Sequence, residues 1–295
     1  MEHKTNNVFA VILVGGKGKR LRPLSTDARP KAFLPVTRGH RTMFRATVDR
    51  IKKIIPAENI LISANKAHAG LVKGDFPQIR RDNLILEPVS RNTAPAIGLA
   101  AMALKKRVKN AVMVVIPADQ YIVDEKKYLD AIKKGMAFAA NNDSLVALAL
   151  RPTFPSTGFG YIKVRSKLKD VYKAARFVEK PSLSTANRFV RDPRYLWNAG
   201  AFVFSANSIL KAIREFAPDI FSLLVQIDSG NINKLYKKFP DISVDYAVME
   251  RSDNIYCVKG DYRWRDIGSF EALKEVLGLE SVDFIEKGGK VVKIL

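Results

Sequence analysis

Val8–Val14 is an unbroken apolar run rich in β-branched side chains and closed by Gly15-Gly16. A strand of that composition is buried on both faces, as in a parallel sheet covered by helices, and here it feeds a glycine loop. Shorter apolar runs recur at residues 60–63, 111–116 and 145–150, with helix-like stretches between them at 43–54, 94–108 and 128–140. Strands that alternate with helices build βαβ units, so the pattern predicts an α/β protein with a mostly parallel, Rossmann-like sheet flanked by helices.

Beyond Arg151 the pattern changes. Apolar segments at 161–164, 174–178 and 200–204 are separated by turn-rich stretches and followed by helical material over 207–224. This predicts an α+β lobe covering one side of the sheet. No Pro-rich or Ser/Gly-rich linker, internal repeat or low-complexity tract divides the halves. We therefore expect one unit over 1–283, with a first lobe over about 1–150 and a second over about 151–283. Residues 284–295 contain Gly288-Gly289 and an alternating-to-apolar end, which predicts a short C-terminal turn and strand.

The chain has 295 residues, 47% hydrophobic and 27% charged, enough for a sizeable core and without the bias of disordered chains. Its apolar runs are too short to span a bilayer and its first seven residues lack a signal-peptide hydrophobic region, so a cytoplasmic location is the default expectation. Cys257 is the single cysteine, which excludes an intrachain disulfide, and His3, His40 and His68 are scattered. Any metal would have to be held by oxygen. The formal charge of +21 raises polyanionic partners, nucleic acid among them. Lys and Arg are nevertheless spread along the chain with no aromatic-interleaved basic motif, which reads as a solvated basic surface.

The first chemical constellation is Leu13-Val14-Gly15-Gly16-Lys17-Gly18-Lys19-Arg20-Leu21, where a strand ends. Small residues let backbone N–H groups approach phosphate oxygens, and Lys17, Lys19 and Arg20 add cationic donors. The loop matches neither common template. Gly18-Lys19 is followed by Arg20 rather than Ser or Thr, and Leu21 stands where a dinucleotide fold needs its third glycine.

Downstream lie Arg22-Pro23 and then Arg29-Pro30-Lys31-Ala32-Phe33-Leu34-Pro35. A GGxGxR loop followed by a proline-lysine segment resembles the signature of the sugar-1-phosphate nucleotidyltransferases. The resemblance implies that Arg20 and Lys31 act on the nucleoside triphosphate and that Leu13, Gly15, Gly16 and Gly18 cradle it. Glu87-Pro88-Val89-Ser90-Arg91-Asn92-Thr93-Ala94-Pro95-Ala96-Ile97 resembles the corresponding segment of the guanylyltransferases acting on mannose 1-phosphate. Glu87, Asn92, Thr93 and Pro95 are thereby candidates for the nucleotide side. Asn92 or Thr93 can equally cap the following helix, and the two roles are compatible.

Pro117-Ala118-Asp119-Gln120 puts an acidic residue just past a buried strand, at the edge where open α/β sheets bind ligands. The resemblance makes Asp119 a Mg²⁺ ligand, with Gln120 replacing a common histidine. Trp264-Arg265-Asp266-Ile267-Gly268-Ser269 resembles the family segment whose aspartate, here Asp266, supplies the second carboxylate. Two carboxylates plus substrate phosphates suffice for Mg²⁺. Gly158-Phe159-Gly160-Tyr161, Phe177-Val178-Glu179-Lys180-Pro181 and Trp197-Asn198-Ala199-Gly200 resemble the sugar-phosphate side. They imply backbone approach at Gly160, hydroxyl contacts from Glu179 and Asn198, and phosphate contact from Lys180. Phe159 stands where tyrosine is common. Val244-Asp245-Tyr246-Ala247-Val248-Met249-Glu250 also resembles a guanylyltransferase segment, and we read its role as architectural.

The resemblance covers residues 9–270 with its motifs in family order. It implies transfer of GMP from GTP to mannose 1-phosphate, giving GDP-mannose and pyrophosphate by in-line displacement. A sibling enzyme using another base or sugar, or a noncatalytic nucleotide- or nucleic-acid-binding protein, are the alternatives. Some relatives carry a second, isomerase domain, and a chain ending at Leu295 is expected to be monofunctional. A homodimer is left open.

Overall fold

The computed structural model describes residues 7–16, 18–35, 41–277, 283–287 and 290–294, from Leu277 onward as backbone alone. Lys17, His3, His40 and the Gly288-Gly289 turn lie outside the described residues. In chain order the first half forms β1 (Val8–Val14), α1 (Met43–Ile51), β2 (Ile60–Asn65), α2 (Ala69–Asp75), β3 (Leu84–Glu87), α3 (Thr93–Arg107), β4 (Val112–Pro117), β5 (Gln120–Ile122), α4 (Glu125–Ala139) and β6 (Leu145–Leu150). The second half adds β7 (Tyr161–Leu168), β8 (Val171–Val178), α5 (Leu183–Arg191), β9 (Tyr195–Ser205), α6 (Ala206–Phe216) and α7 (Pro218–Leu224). It continues through α8 (Ile232–Leu235), a single π-helical turn Asp245–Met249, β10 (Ile255–Lys259), β11 (Trp264–Asp266) and α9 (Phe270–Leu277). The terminal stretch is an antiparallel ribbon, β12 (Asp283–Lys287) and β13 (Lys290–Ile294), where the sequence predicts one strand.

One nine-stranded sheet organises the molecule, in the order β3-β2-β1-β4-β9-β6-β10-β8-β7. Its first four strands are mutually parallel, as their continuous apolar character demands. The second half departs from the expected lobe laid over one side. Strand β9 inserts antiparallel between β4 and β6, and β7, β8 and β10 extend the same sheet, so the sheet as a whole is mixed. Turn-rich spacing concealed this because β9 runs over eleven residues, through the Trp197 to Gly200 motif, rather than the five at 200–204.

Alternation along β1 explains the two cores. Phe9 and Val11 face a cluster with α3, α6 and α7, whereas Ala10, Ile12 and Val14 face one with α1 and α4. Both faces being covered, Phe9, Ala10, Val11, Ile12 and Val14 are all buried. The helical material over 207–224 breaks in two at Ala217, since Pro218 has no N–H to continue α6 and instead opens α7. Among the described residues, no helix is long and apolar enough to cross a membrane. Cys257 is buried, and burial pushes its thiol up to about 12, which removes it as a nucleophile.

Candidate active site

The parallel strands β1 to β4 end together, and their C-terminal ends form one wall of a cavity of about 460 Å³. Leu13, Gly15, Gly16, Glu87, Asn92 and Thr93, all expected on the nucleotide side, line it together with Asp119. Pro95 does not. It is buried in the first turn of α3, and Ala96 and Ile97 supply the wall instead, because one helix face cannot present three successive residues. The glycine loop turns away from β1 with Gly16 at φ 87° and Gly18 at φ 60°. A Cβ on Gly18 would lie 2.9 Å from the Lys31 Cβ, so only glycine lets the loop rest on that lysine. Ser25 Oγ donates to the Gly18 carbonyl at 2.7 Å and fixes the turn.

Lys31 is the centre of the charged end of the cleft. Its side chain is 7% exposed, and Nζ lies 2.9 Å from Asp119 Oδ2 and 2.6 Å from Asp266 Oδ1. The chain delivers the two carboxylates by a simple device. Asp119 immediately precedes β5, β5 pairs antiparallel with β11, and the register sets Asp266 opposite Gln120. Burial alone would pull the Lys31 ammonium down, but the two carboxylates outweigh it and hold the group above its ordinary value. Arg20 is exposed. A Cβ on Gly268 would meet its Nη2 at 3.0 Å and Asp266 Oδ2 at 3.2 Å, so guanidinium and carboxylate flank the same glycine.

Two carboxylate oxygens aimed at one cation-sized position are a donor set that suits a hard divalent ion completed by phosphate and water. Among the described residues no cluster of three or more His, Cys, Asp or Glu side chains that could hold a metal ion is formed. Gln120, in the place of the common histidine, takes a structural role. It is buried and its Nε2 donates to the Ala199 carbonyl at 2.6 Å, tying β5 to β9.

Gly160, Glu179, Lys180 and Asn198 come together beside Asp245. A Cβ on Gly160 would collide with Glu179 Oε2, a buried oxygen without a hydrogen-bond partner in the protein. Burial first, then the charge of nearby Asp245, pushes the Glu179 carboxyl up to about 7. Lys180, held at φ 45°, places Nζ 3.3 Å from Glu179 Oε1. The Asn198 amide is already engaged at both ends. Nδ2 donates to Asp245 Oδ1 at 2.9 Å, and Oδ1 accepts from the Gly200 N–H at 3.0 Å. Its first duty is thus to hold Asp245, which lines the cavity although its segment reads as architectural in the sequence. Phe159 packs edge-on against Trp197 and Trp264, an aromatic contact where tyrosine is common.

Sequence reasoning passed over Ser63, Asn65, Ser90 and Asp241, which also line the cavity. The signal for two of them was present, since Ser63 and Asn65 are the polar residues at the C-terminal end of an apolar strand. The Glu87 to Ile97 segment caps α3 as expected and also lines the cavity. Asn92 caps α3, its Oδ1 accepting from the Thr93 N–H at 3.0 Å, while Thr93 Oγ1 accepts from the Val244 N–H at 2.9 Å. With Ala94 N–H donating to the Ile242 carbonyl at 3.2 Å and Arg91 donating to the Lys237 carbonyl, these bonds stitch a strap over 236–245 to the start of α3.

A Rossmann-like α/β sheet whose parallel strand ends carry a glycine loop and a cationic, carboxylate-lined cleft defines a nucleotide-handling transferase. More particularly, the chain belongs to the nucleotidyl transferase family, whose model matches residues 9–279. It is similar to a mannose-1-phosphate guanylyltransferase of Salmonella muenchen, 36% identical over 285 residues, covering 92% of this chain and 60% of that protein. One of the same name from Klebsiella pneumoniae is 37% identical over 284 residues, covering 91% and 60%. A crystal structure from Thermus thermophilus, described as a mannose-1-phosphate geranyltransferase, superposes with a TM-score of 0.86 at 33% identity, covering 94% of this chain and 81% of that one. The chain spans about 60% of the length of the curated relatives it matches.

Proposed function

We propose that the chain transfers GMP from GTP to α-D-mannose 1-phosphate, forming GDP-mannose and pyrophosphate. The observation that carries this reading is the convergence of Lys31, Asp119 and Asp266 at the glycine-loop end of a cavity walled by Glu87, Asn92 and Thr93. The names of the relatives support the choice of base and sugar.

In the proposed reaction an oxygen of the sugar phosphate forms a bond to the α-phosphorus while the bond to the β-bridging oxygen breaks and pyrophosphate leaves. Negative charge spreads over the α-phosphoryl oxygens and the leaving group, so fixed cations and aligned substrates lower the barrier without a covalent nucleophile. Asp119 and Asp266 would hold Mg²⁺, which when bound supplies positive charge to the phosphates. Lys31, at the same end of the cleft, would donate to phosphate oxygens, and Arg20 at the mouth of the loop adds a second cation. Gly15 and Gly16 leave the space beside β1 open, since a Cβ on either meets nothing within 4 Å. Glu179 and Lys180 face the sugar phosphate, and Gly160 admits its backbone neighbour.

GTP and mannose 1-phosphate are the proposed partners, with a cytoplasmic setting and no role for a membrane or nucleic acid. Pyrophosphate release measured over four nucleoside triphosphates and several sugar phosphates tests the reading. GTP with mannose 1-phosphate should give the highest kcat/KM. Equal or better turnover with ATP, UTP or dTTP would refute the base assignment and favour a sibling activity. Tight, salt-sensitive nucleic-acid binding without pyrophosphate release would favour a binding protein that uses the +21 charge.

A further inference from the structure

Glu87 stands at the C-terminal end of β3 on the cavity wall, and both of its oxygens are held from behind. Ser63 Oγ donates to Oε1 at 2.8 Å, and Tyr236 OH donates to Oε2 at 2.9 Å. The two donors come from opposite directions. Ser63 belongs to the neighbouring strand β2, whereas Tyr236 is 149 positions away in the sequence, at the start of the strap stitched to Arg91, Thr93 and Ala94. Both are buried, and the Tyr236 ring is clamped edge-on against Phe239 with centroids 5.1 Å apart.

A carboxylate oxygen has two acceptor positions, so one hydroxyl on each oxygen fixes the plane of the group and leaves each oxygen another acceptor. A carboxylate fixed in that way matches a planar edge carrying two adjacent donors. Guanine offers N1–H and the exocyclic N2–H side by side. Adenine sets its N1 lone pair in the same place and uracil flanks one N–H with two carbonyls, so each brings acceptor against acceptor. Burial and the charge of Glu87 push the Tyr236 phenol up, so it remains a donor at any pH at which the protein works. Burial also raises the Glu87 carboxyl, against the opposing effect of the Ser63 and Tyr236 hydroxyls, which favour its charged form.

We propose that Tyr236 and Ser63 are positioning residues that lock the Glu87 carboxylate for two-point recognition of guanine, so that base choice depends on a hydroxyl supplied by the second lobe. The inference rests on the guanylyl-transfer reading above. In this scheme neither hydroxyl reads the base itself, although Ser63 also borders the cavity. Each acts by preventing Glu87 from rotating out of the plane that the base requires.

The test compares GTP with inosine triphosphate, which keeps N1–H and lacks the 2-amino group, in the wild type, Tyr236→Phe, Ser63→Ala and Glu87→Gln. In the wild type kcat/KM should favour GTP over ITP. Tyr236→Phe should lower that ratio about tenfold, through KM for GTP and with kcat nearly unchanged, because a contact to a charged group is weakened while the phosphates stay in place. In a Glu87→Gln background the same change should add nothing. An unaltered ratio, or an equal loss for both nucleotides, would overturn the proposal, since a purely structural tyrosine affects both alike. If Tyr236→Phe does not fold, Ser63→Ala carries the same readout through the other oxygen. A wild-type enzyme that prefers ATP or UTP to GTP would sink the guanylyl reading itself, and that failure is visible before any variant is made.

Discussion

Lys31 Nζ lies 2.6 Å from Oδ1 of Asp266, a residue 235 positions further along the chain. Together with Asp119, the pair sets one ammonium between two carboxylates. Lys31→Met removes that cation and leaves two carboxylates facing each other. Breaking such a group should cost about 2 kcal/mol in the metal-free protein, less than a fully buried pair because Asp119 and Asp266 are 25% and 34% exposed. Added Mg²⁺ should then raise Tm more in the variant than in the wild type. Calorimetry with and without metal decides, and equal Tm shifts would show that the ion does not share this site.

Asp119→Asn and Asp266→Asn each remove a charge with little change in volume. Turnover should fall roughly 100-fold or more in each while the fold is kept, and higher Mg²⁺ should restore part of it, since an amide oxygen still coordinates but no longer offsets the cation's charge. Near-normal turnover of Asp266→Asn at limiting Mg²⁺ would leave no place for a two-carboxylate site.

The Glu179 carboxyl, pushed up to about 7 by burial and by Asp245, makes stability depend on pH. The folded protein binds this proton more tightly than the unfolded chain does. Its stabilising contribution is full below about pH 4.5 and is lost as the pH rises through about 7, a change on the order of 3 kcal/mol. Glu179→Gln is neutral throughout. The Tm of the variant should therefore gain on the wild type between pH 5 and pH 8, and a difference that stays constant across that range would contradict the assignment.

Gly18 and Gly15 separate backbone strain from cavity filling. Gly18→Ala puts a side chain at φ 60° and 2.9 Å from the Lys31 Cβ, which should destabilise the protein by about 1–2 kcal/mol and disturb nucleotide binding. Gly15→Ala adds a methyl with nothing within 4 Å, so the melting temperature should hold while KM for the nucleotide rises. Denaturation curves alongside initial rates distinguish the two.

Much of the first half is legible in the sequence because its information is local. An apolar run closed by glycines is a buried strand with a loop, and Leu145–Leu150 appears at the bounds the pattern gives. Asp119 and Asp266 come together as expected, whereas their pairing with Lys31 is not foreseen from the motifs. What the sequence conceals is pairing. Nothing in residues 195–205 announces that they lie between β4 and β6, since an apolar segment buried on both faces reads alike in parallel and antiparallel company. Pro95 does not line the cavity for a related reason, as a motif names consecutive residues while a helix presents only some of them to one side. Tyr236 carries no local signal at all, its partner Glu87 being supplied by a strand from the first half.

The insertion of β9 also governs how the molecule can be made. In the finished sheet the neighbours of β6 are β9 and β10, both synthesised later, while β4 has β1 on one side and waits for β9 on the other. A fragment ending near residue 150 would therefore expose an unpaired apolar strand and an open edge, the combination that draws chains into aggregates. The two halves of the chain are interleaved in one sheet rather than joined end to end. During translation the sheet cannot close until residue 259 at the end of β10 has left the ribosome, and its distant pairings should make this a slow-folding chain for its size.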